Sequence, residues 1–549
     1  MTIKIFTVAE MVAAEKAADA SGVTYDMMME IAGRSVAEAI IERVPTREQK
    51  ILILVGPGNN GGDGLVAGRY LAQAEADVTF FLYKPRQEEK DHNYAQVREM
   101  GLTVIGPETD PTGEQLRKHL SESEIIIDAL LGTGVTRPIS GKLADIFKIV
   151  QSVLAEQNSR LAKKRRLTSI AGIGSGSMGQ NQPFIAAVDC PSGLNCDSGE
   201  LDLLAIAADL TVTFAGPKRG HFRFPGASSC GELVVADIDI STELPQVAAV
   251  PLQLATQDLA RGLLPRRSAG GHKGSFGTAL IAAGSARYWG APVLSAQGAY
   301  RAGAGLVALA VPDAIRSTVA GQLPEATYPP VAAGDLFDKD SAHEIWSAAA
   351  QAKGVLLGPG MGPAEDFMDG LLNNILRDDQ SGASFPDLII DADGLNILAQ
   401  WPEWIKKLPA NSILTPHPGE MARLMDVSLA EFKKGDRVDL ACSQAKMWEQ
   451  IVVLKGAYTV VAAPDGRCTL MPFANPLLAV GGSGDVLAGV IVGLLAQGMP
   501  PYEAAVLGAY LHGAAGELAS TVEFGDAGLL AGELASWIPQ VRKLLISQD

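Results

Sequence analysis

The stretch Leu478-Ala479-Val480-Gly481-Gly482-Ser483-Gly484-Asp485-Val486-Leu487-Ala488-Gly489 is the most informative part of this chain. A glycine-rich turn precedes an apolar run that predicts a helix, and Asp485 stands at the junction. Glycines let the backbone approach an anion closely, and the first N–H groups of a helix are free to bind it. Because a carboxylate there would repel a phosphate, we expect Asp485 to exchange a proton with a substrate atom beside the phosphates. The stretch therefore predicts an enzyme.

Length and composition indicate more than one α/β domain. A chain of 549 residues is too long for a single ordinary core, and its 59 glycines and 47% hydrophobic content favour parallel strands buried on both faces. A net charge of −17 argues against a nucleic-acid-binding protein. The five cysteines form no C-x-x-C pair, so reduced thiols are expected. No leader and no apolar run of membrane-spanning length is evident, so we expect a cytoplasmic protein without a membrane partner.

Two α/β units can be traced, and a composition shift at Ser241–Pro251 separates them. We place the domains at residues 1–243 and 244–549. A helix is predicted over Val8–Ala20, and a surface loop over Glu156–Pro183, which lacks periodicity and carries the basic run Lys163–Arg166. Strands are predicted at Ile51–Val55, Val78–Tyr83, Ile125–Ile127, Ile185–Val188 and Leu210–Phe214, then at Thr278–Ala283, Leu306–Val311, Val355–Leu357, Leu388–Ile390, Ser412–Leu414 and Ile451–Leu454.

In the first unit, three strands each end in polar side chains followed by glycine. The three segments are Gly56-Pro57-Gly58-Asn59-Asn60-Gly61-Gly62-Asp63-Gly64, Asp128-Ala129-Leu130-Leu131-Gly132-Thr133-Gly134 and Asp189-Cys190-Pro191-Ser192-Gly193. Because ligands bind at the carboxyl ends of parallel strands, we expect one shared site, with a helix beginning after Gly64. Oxygen ligands of this kind suit a hard cation, and Asp189 can act as acid or base. Each segment alone could equally be a turn with a capping side chain.

With these three motifs in this order, the first half resembles the NAD(P)H-hydrate epimerase family. The resemblance implies a Rossmann-like three-layer sandwich, with Asp189 as the catalytic group at the reacting carbon. It implies a potassium ion held by Asn60, Asp128 and Ser192. Besides Asp189, the implied substrate contacts are Asn59, Asn60, Gly61, Gly62, Asp63, Gly132, Thr133, Gly134, Val135, Thr136, Arg137 and Pro138.

The second half also places glycines and charged residues near successive strands. The segments are His272–Gly277, Gly284–Ser285, Gly290–Pro292, Gly303–Gly305, Gly358–Gly362, Asp391–Asn396, Thr415–Glu420 and Lys455–Thr459. In isolation, His417 could be a rigid-turn histidine and Lys455 a surface lysine. Together with Gly481–Asp485, the segments favour a single nucleotide site.

From about Leu259 onward the chain resembles the ribokinase-like ADP/ATP-dependent NAD(P)H-hydrate dehydratases. The match rests on His-Lys-Gly-x-Phe-Gly, Gly-Pro-Gly-x-Gly, Asp-Ala-Asp-Gly-Leu-Asn, Thr-Pro-His-Pro-Gly-Glu and Asn-Pro-x-Leu-Ala-x-Gly-Gly-Ser-Gly-Asp. It implies a ribokinase-like α/β domain that uses ADP in preference to ATP, with Mg²⁺ accompanying the nucleotide. The implied contacts with the hydrated cofactor are Ala291, Gly362, His417 and Asp485. The implied contacts with ADP are Lys455, Gly456, Ala457, Tyr458, Thr459, Gly481, Gly482, Ser483 and Gly484.

Together, the resemblances imply a bifunctional isomerase and lyase that repairs hydrated NADH and NADPH. The first half would interconvert the R and S hydrates, with Asp189 exchanging a proton as C6 loses and regains its oxygen. The second half would dehydrate the S form, because phosphorylation of the C6 hydroxyl, with Asp485 as base, creates a good leaving group. The alternative is a ribokinase-like kinase of a vitamin precursor with a non-catalytic N-terminal domain. The expected partners are the hydrated cofactors and ADP, without nucleic acid, and a homo-oligomer is expected.

Overall fold

The computed structural model describes residues 2–134, 137–164, 182–331, 334–381 and 385–547. It divides into two compact units, Ile3–Val250 and Pro251–Asp549. The division falls inside the segment Ser241–Pro251, where the sequence predicts a domain boundary. The assignment of a separate activity to each domain stays a prediction at this point.

The first unit alternates strands and helices along the chain. Its strands are β1 (Ile3–Lys4), β2 (Lys50–Val55), β3 (Asp77–Leu82), β4 (Thr103–Ile105), β5 (Ile125–Ala129), β6 (Phe184–Val188), β7 (Leu210–Phe214) and β8 (Glu232–Ala236). Its helices are α1 (Val8–Ala20), α2 (Tyr25–Ile41), α3 (Asn59–Gln73), α4 (His92–Glu99), α5 (Glu114–Glu122), α6 (Gly141–Lys164) and α7 (Pro245–Ala248).

The sheet of the first unit is covered on both faces. Its strands pair in the order β4-β3-β2-β5-β6-β7-β8, and all the pairs are parallel. Along β2, Ile53 belongs to a core shared with α1, α2 and α3, while Leu52 and Leu54 belong to a second core shared with α5 and α6. Because both faces are buried, these strands are continuous apolar runs rather than alternating ones. The predicted three-layer α/β arrangement is confirmed.

The second unit is built from the remaining elements. Its strands are β9 (Leu252–Leu254), β10 (Thr278–Ala282), β11 (Leu306–Ala310), β12 (Gly354–Leu357), β13 (Asp387–Ile390), β14 (Ile413–Leu414), β15 (Ile451–Leu454), β16 (Val460–Ala462) and β17 (Cys468–Leu470). Its helices are α8 (Gln257–Leu263), α9 (Gly290–Ala302), α10 (Asp313–Gln322), α11 (Lys339–Ala349), α12 (Glu365–Ser381), α13 (Asp393–Leu398), α14 (Pro418–Leu424), α15 (Leu429–Phe432), α16 (Arg437–Trp448), α17 (Ser483–Ala496), α18 (Pro501–Ala519) and α19 (Ala531–Ile546).

The second sheet is parallel through most of its width. Strands pair in parallel in the order β11-β10-β12-β13-β14-β15. The chain then adds the antiparallel pairs β15-β16 and β16-β17, which the sequence did not predict, and β9 pairs in parallel with β17. The other predicted strands agree with the structure to within one residue at each end, except that β5 continues two residues further, to Ala129, and so contains Asp128.

Helix α17 passes through the core of the second unit. Every residue from Val486 to Ala496 is buried, as expected for a helix that is apolar on all sides. It packs so closely on α9 that a Cβ at Gly489 would lie 2.0 Å from the carbonyl oxygen of Ser295. Gly489 therefore sets the distance between α17 and α9, and with it the position of Asp485 in the first turn of α17.

Two helices begin earlier than the sequence predicts. Helix α3 begins at Asn59, so the prediction of a loop through Gly64 is wrong, and α17 begins at Ser483 rather than at Val486. In α3 the glycines serve close packing instead of a turn, since a Cβ at Gly62 would lie 2.6 Å from the sulfur of Met29. Glycine-rich sequence indicates a loop by propensity, but tertiary contacts decide here.

The prediction of a surface loop over Glu156–Pro183 is also wrong at its start, because helix α6 continues through Lys164. Residues 165–181, including Arg165 and Arg166 of the basic run, lie outside the described residues. Among the helices that the structure describes, none combines the length and the apolar character needed to cross a membrane.

Gly489→Ala is expected to destabilise the second unit by about 1–3 kcal/mol, because the added methyl group overpacks the α9–α17 contact. Gly321→Ala in α10 is the matched control, since a Cβ there meets nothing within 4 Å. The control should leave stability unchanged or raise it by up to about 1 kcal/mol through helix propensity. Urea unfolding followed by circular dichroism measures both. Equal stability of the two variants would contradict the proposed close contact.

Candidate functional sites

In the first unit, the turn between β2 and α3 is held by an arginine. Arg86, which follows β3, donates from Nη2 to the carbonyl oxygens of Gly56 at 2.6 Å and Gly58 at 2.9 Å, and it pairs with Asp91. A Cβ at Gly61 would lie 2.1 Å from the carbonyl oxygen of Gly56, so the first helical turn sits directly on this strand end. Arg86 was not predicted, although its place after the neighbouring strand could have pointed to it.

The three predicted cation ligands come together beside β5. Buried Asp128 accepts from Ser192 Oγ at 2.6 Å, from Ser192 N at 2.8 Å and from Leu130 N at 3.2 Å. Asn60 Nδ2 donates to the carbonyl oxygen of Leu131 at 3.0 Å, and that oxygen also accepts from Ser192 Oγ at 3.3 Å. Asn60, Asp128 and Ser192 are thus linked through a shared carbonyl oxygen.

One buried oxygen in this group has no partner among the described residues. Asn60 Oδ1 is enclosed and accepts no hydrogen bond, so its lone pairs are free for a cation. Burial raises the pKa of Asp128, and a bound cation would oppose that rise. Amide, carbonyl and carboxylate oxygens are ligands that hard cations accept. The residues present therefore fit such an ion, and the predicted potassium remains a prediction.

Asp189 follows β6 and forms an ion pair with Lys218, which was not predicted. Lys218 Nζ lies 2.5 Å from Asp189 Oδ1 and 2.8 Å from Thr213 Oγ1, and Thr213 donates to the same carboxylate oxygen at 2.9 Å. Both charged side chains are buried. Burial opposes the charge of Asp189, but the ammonium of Lys218 outweighs it, and the pKa of Asp189 lies below its ordinary value. Asp189 is therefore an ionised base. Lys218 follows β7, which lies next to β6 in the sheet. Its position after a neighbouring strand could have indicated that it belongs to this site.

Two further carboxyl groups lie near this ion pair. Asp63, the fifth residue of α3, was predicted, whereas Glu15 of α1 was not, because α1 precedes every motif in the sequence. Burial raises the pKa of both groups, and the charge of Asp189 adds to the rise. The site therefore combines one ionised carboxylate with two carboxyl groups that resist ionisation.

The second predicted loop of this site is only partly described. A Cβ at Gly132 would lie 3.1 Å from Asn60 Cβ, so the start of the loop contacts the cation-ligand group. Arg137 and Pro138 are exposed, and Val135 and Thr136 lie outside the described residues. Asn59 is exposed at the start of α3, while Gly61 and Gly62 are buried.

In the second unit, Asp485 lies half-buried in the first turn of α17. Burial raises its pKa to about 7, the charge of Asp391 adds to the rise, and Lys455 opposes it. Gly482, with φ +91°, turns the chain into the helix. His512 donates from Nε2 to the carbonyl oxygen of Ser483 at 2.9 Å, and burial lowers the pKa of His512 to about 4, so it stays neutral. His512 thereby holds the glycine turn and was not predicted.

Lys455 contacts residues that follow several other strands of this unit. Lys455 Nζ donates to Asp391 Oδ1 at 2.7 Å, lies 3.9 Å from Glu420 Oε2, and would lie 3.4 Å from a Cβ at Gly484. Burial raises the pKa of Glu420 to about 7. His417 Nε2 lies 3.4 Å from Glu420 Oε1. His417, Lys455, Gly484 and Asp485 are therefore neighbours, together with two carboxyl groups that were in predicted motifs but had no assigned role.

A cavity of about 530 Å³ opens beside Gly362. Gly362 N donates to Asp393 Oδ2 at 2.9 Å, and a Cβ at the nearby Gly360 would lie 2.9 Å from Ala291 Cβ. Ser285, Tyr288 and Asn396 are among the other lining residues. Gly362 thus lines this cavity, and Ala291 contacts Gly360 in the turn that borders it.

The segment Lys455–Thr459 is held from behind by Arg437 of α16. Its guanidinium donates to the carbonyl oxygens of Ala457 at 2.6 Å, Lys455 at 3.1 Å and Leu454 at 3.3 Å. Left-handed backbone at Tyr458 (φ +55°) turns the loop. An isolated arginine on a helix carries no sequence signal, so Arg437 could not be predicted.

Two predicted members of the nucleotide site lie elsewhere. A Cβ at Gly277 would lie 1.7 Å from the carbonyl oxygen of Ala496, the last residue of α17, and one at Gly305 would lie 1.8 Å from that of Lys273. At 1.5 Å per residue, α17 separates Ala496 from Asp485 by about 16 Å. The segments His272–Gly277 and Gly303–Gly305 precede their strands, whereas the site forms where strands end, so including them in the site was wrong.

Comparison with known proteins gives consistent matches for both units. A family model described as NAD(P)H-hydrate dehydratase matches residues 279–540, and one described as YjeF-related protein N-terminus matches residues 25–220. The bifunctional NAD(P)H-hydrate repair enzyme Nnr of Moorella thermoacetica is 36% identical over 527 residues, covering 94% of this chain and 92% of the relative. The enzyme of the same name from Thermofilum pendens is 35% identical over 535 residues, covering 96% and 94%.

One solved structure among the matches is the ADP/ATP-dependent NAD(P)H-hydrate dehydratase from Bacillus subtilis, co-crystallized with ATP/Mg²⁺. It is 35% identical to this chain, covers 53% of it and 98% of its own length, and superposes with a TM-score of 0.45.

Lys218→Met is expected to destabilise the first unit by about 3–5 kcal/mol, because it leaves the Asp189 carboxylate buried without its partner. The double variant Asp189→Asn/Lys218→Met should regain part of that loss, since neither charge then remains. Lys50→Met, which breaks the exposed ion pair with Glu122, is the control and should change stability little. Denaturant unfolding measures all three. A double variant less stable than Lys218→Met alone would show that the pair is not the cause.

Proposed function

The chain belongs to the family of bifunctional NAD(P)H-hydrate repair enzymes, and on that premise we propose that its two units catalyse consecutive steps. The first domain, residues 1–243, epimerises hydrated NADH or NADPH at C6. The second domain, residues 244–549, dehydrates the S hydrate at the expense of ADP. The observation that carries the proposal is the unlike setting of two aspartates, one ion-paired with Lys218 and one with its pKa raised to about 7.

In the epimerase site, Asp189 exchanges a proton with the substrate as the C6 oxygen leaves and is replaced. Its carboxylate is ionised because of Lys218 and is aimed by Thr213, so it is ready to act as a base at neutral pH. Asn60, Asp128 and Ser192 would hold potassium, which would supply a fixed positive charge beside the substrate. Asn59–Asp63 and Gly132–Pro138 would contact the hydrate.

In the dehydratase site, the cavity beside Ala291 and Gly362 would receive the S hydrate. Lys455–Thr459 and Gly481–Gly484 would bind ADP, with Lys455 and the free N–H groups of α17 facing the phosphates. Asp485 takes the proton of the C6 hydroxyl as that oxygen attacks the terminal phosphorus of ADP and AMP leaves. Loss of phosphate from C6, with loss of a proton from C5 to water, then restores the C5–C6 double bond of the nicotinamide ring.

Magnesium would enter this site with the nucleotide. The described residues contain no group of three or more His, Cys, Asp or Glu side chains arranged to hold a metal. Asp391 and Glu420 flank the ammonium of Lys455 instead. Magnesium is commonly bound by one or two carboxylates together with substrate phosphates, and that mode fits the residues present.

The alternative, a kinase of a vitamin precursor with a non-catalytic N-terminal domain, is less well supported. It gives no role to the buried pair of Asp189 and Lys218 or to the linked ligands at Asn60. The deciding assay supplies purified protein with mixed NADPH hydrates and ADP and follows the absorbance of reduced nicotinamide. Absence of recovery with any nucleotide would exclude repair. We also expect the enzyme to act in the cytoplasm as a homo-oligomer.

Asp485→Asn is expected to lower dehydration of the S hydrate by about 10²–10⁴-fold, the usual contribution of a general base. In the wild type, kcat/KM should fall as the pH drops below about 7, because the base works only when ionised and its pKa lies near 7. Glu420 has a pKa near the same value, so Glu420→Gln is the control and should retain the acid limb. If Glu420→Gln lost the acid limb, the limb would belong to Glu420 and not to Asp485.

Asp189→Asn is expected to stop recovery of NADPH once the S hydrate in an R and S mixture is used up, apart from slow spontaneous epimerisation. The second domain remains active in this variant, so the initial rate should equal that of the wild type. The final absorbance of the mixture measures the effect. Rapid recovery to completion would show that Asp189 is not the epimerase base.

A further inference from the structure

We propose that Asp63 is a second acid–base residue of the epimerase site. It donates a proton to the C6 oxygen that leaves as water, while Asp189 accepts a proton from the water that then attacks C6. The proposal rests on the epimerase activity proposed above. It assigns to Asp63 a chemical role that goes beyond a binding contact.

The placement of Asp63 is unusual for a carboxyl group. The residue is only 8% exposed, and its side chain has no hydrogen-bond partner among the described residues. Buried polar side chains in proteins are normally hydrogen-bonded. A carboxyl group kept without partners at the carboxyl edge of a sheet is therefore available to a substrate.

The part of α3 that carries Asp63 is closely packed. A Cβ at Gly33 of α2 would lie 2.6 Å from the carbonyl oxygen of Asp63, and one at Gly62 would lie 2.6 Å from the sulfur of Met29. On the other side, Gly64 packs on Ala129, where a Cβ would lie 2.6 Å from the Ala129 side chain. Close packing on two sides thus fixes the backbone from which the Asp63 side chain projects.

The charges around Asp63 differ from those around Asp189. Burial raises the pKa of Asp63 well above its ordinary value, Asp189 and Glu15 add to the rise, and Lys218 opposes it. Asp189 instead pairs directly with Lys218 and is ionised. From α2, the side chain beside this turn is the apolar Met29. Two carboxyl groups in one site with pKa values pushed apart are the usual basis for separate acid and base roles.

The chemistry balances without an added reactant. Asp63 gives its proton to the C6 hydroxyl, the C6–O bond breaks, and the ring nitrogen supplies the electron pair that makes the N1–C6 double bond, so water is released. Another water then attacks C6, its proton passes to Asp189, and the electron pair returns to nitrogen. Asp63 is left ionised and Asp189 protonated. The reverse epimerisation uses the same two groups with their roles exchanged. Before a second turnover in the same direction, Asp189 loses its proton to solvent water and Asp63 regains one from solvent water, so each complete cycle is balanced in protons.

Glu15 is the competing candidate, because burial raises its pKa as well. It lies on α1, is only half-buried, and feels the positive charge of Lys218 more strongly than the negative charge of Asp189. It is therefore the weaker acid candidate and provides a matched control.

The experiment follows interconversion of the separated R and S hydrates of NADPH, without nucleotide, for the full-length wild type, Asp63→Asn and Glu15→Gln. Asp63→Asn should lose about 10²–10⁴-fold in kcat, as for removal of a general acid. The wild-type rate should fall at alkaline pH as Asp63 ionises, and the variant's residual rate should lack that alkaline limb. Glu15→Gln should keep it. In water enriched in oxygen-18, each epimerisation should place the label at C6.

Three results would overturn the role of Asp63. They are near-normal kcat in Asp63→Asn, loss of the alkaline limb in Glu15→Gln instead, and epimerisation without oxygen-18 at C6. Dehydration of the S hydrate with ADP, measured on each variant, shows that the protein is folded. A wild type that does not epimerise at all would contradict the proposed function itself, which is a separate outcome.

Discussion

A lysine ammonium held against a buried carboxylate governs the chemistry of each unit. Removing a charge from water is costly, and each pair persists because the partner and neighbouring donors replace the lost hydration. In the first unit, Lys218 keeps Asp189 ionised. In the second, burial and the charge of Asp391 raise the pKa of Asp485 to about 7, and Lys455, which is paired with Asp391, only partly opposes that rise. The pKa values of the two proposed bases, Asp189 and Asp485, are therefore shifted in opposite directions.

Both sites depend on the same architectural rule. Parallel strands end at one edge of a sheet, and the helix that follows a strand presents its free N–H groups at that edge. The residues that complete each site come from behind this edge and contact backbone rather than ligand. Arg86, Arg437 and His512 all donate to carbonyl oxygens of the loops that carry the predicted site residues. These hydrogen bonds hold the glycine-rich loops in place from the protein side.

Much of the fold was predictable, because buried parallel strands are short apolar runs such as Ile451–Leu454. The motifs also identified Asn60, Asp128 and Ser192 as one group. Prediction failed where glycine serves packing, as in α3, and where local polarity suggests a loop, as at the end of α6. It also missed residues that only the tertiary fold brings to the sites. Lys218 and Glu15 lack a local motif, and Arg437 is an ordinary helical arginine until its carbonyl partners are known.

Helix α17 meets backbone both at Ser295, near its middle, and at Gly277, beyond its last turn. Contacts of this kind prevent the helix from rotating and from sliding along its axis. The carboxylate of Asp485, at the beginning of the helix, is therefore held at a fixed position relative to the sheet. In the proposed reaction, the hydrate and the nucleotide would have to align with this fixed carboxylate, and a rigid base that only one configuration can reach would select between the two epimers.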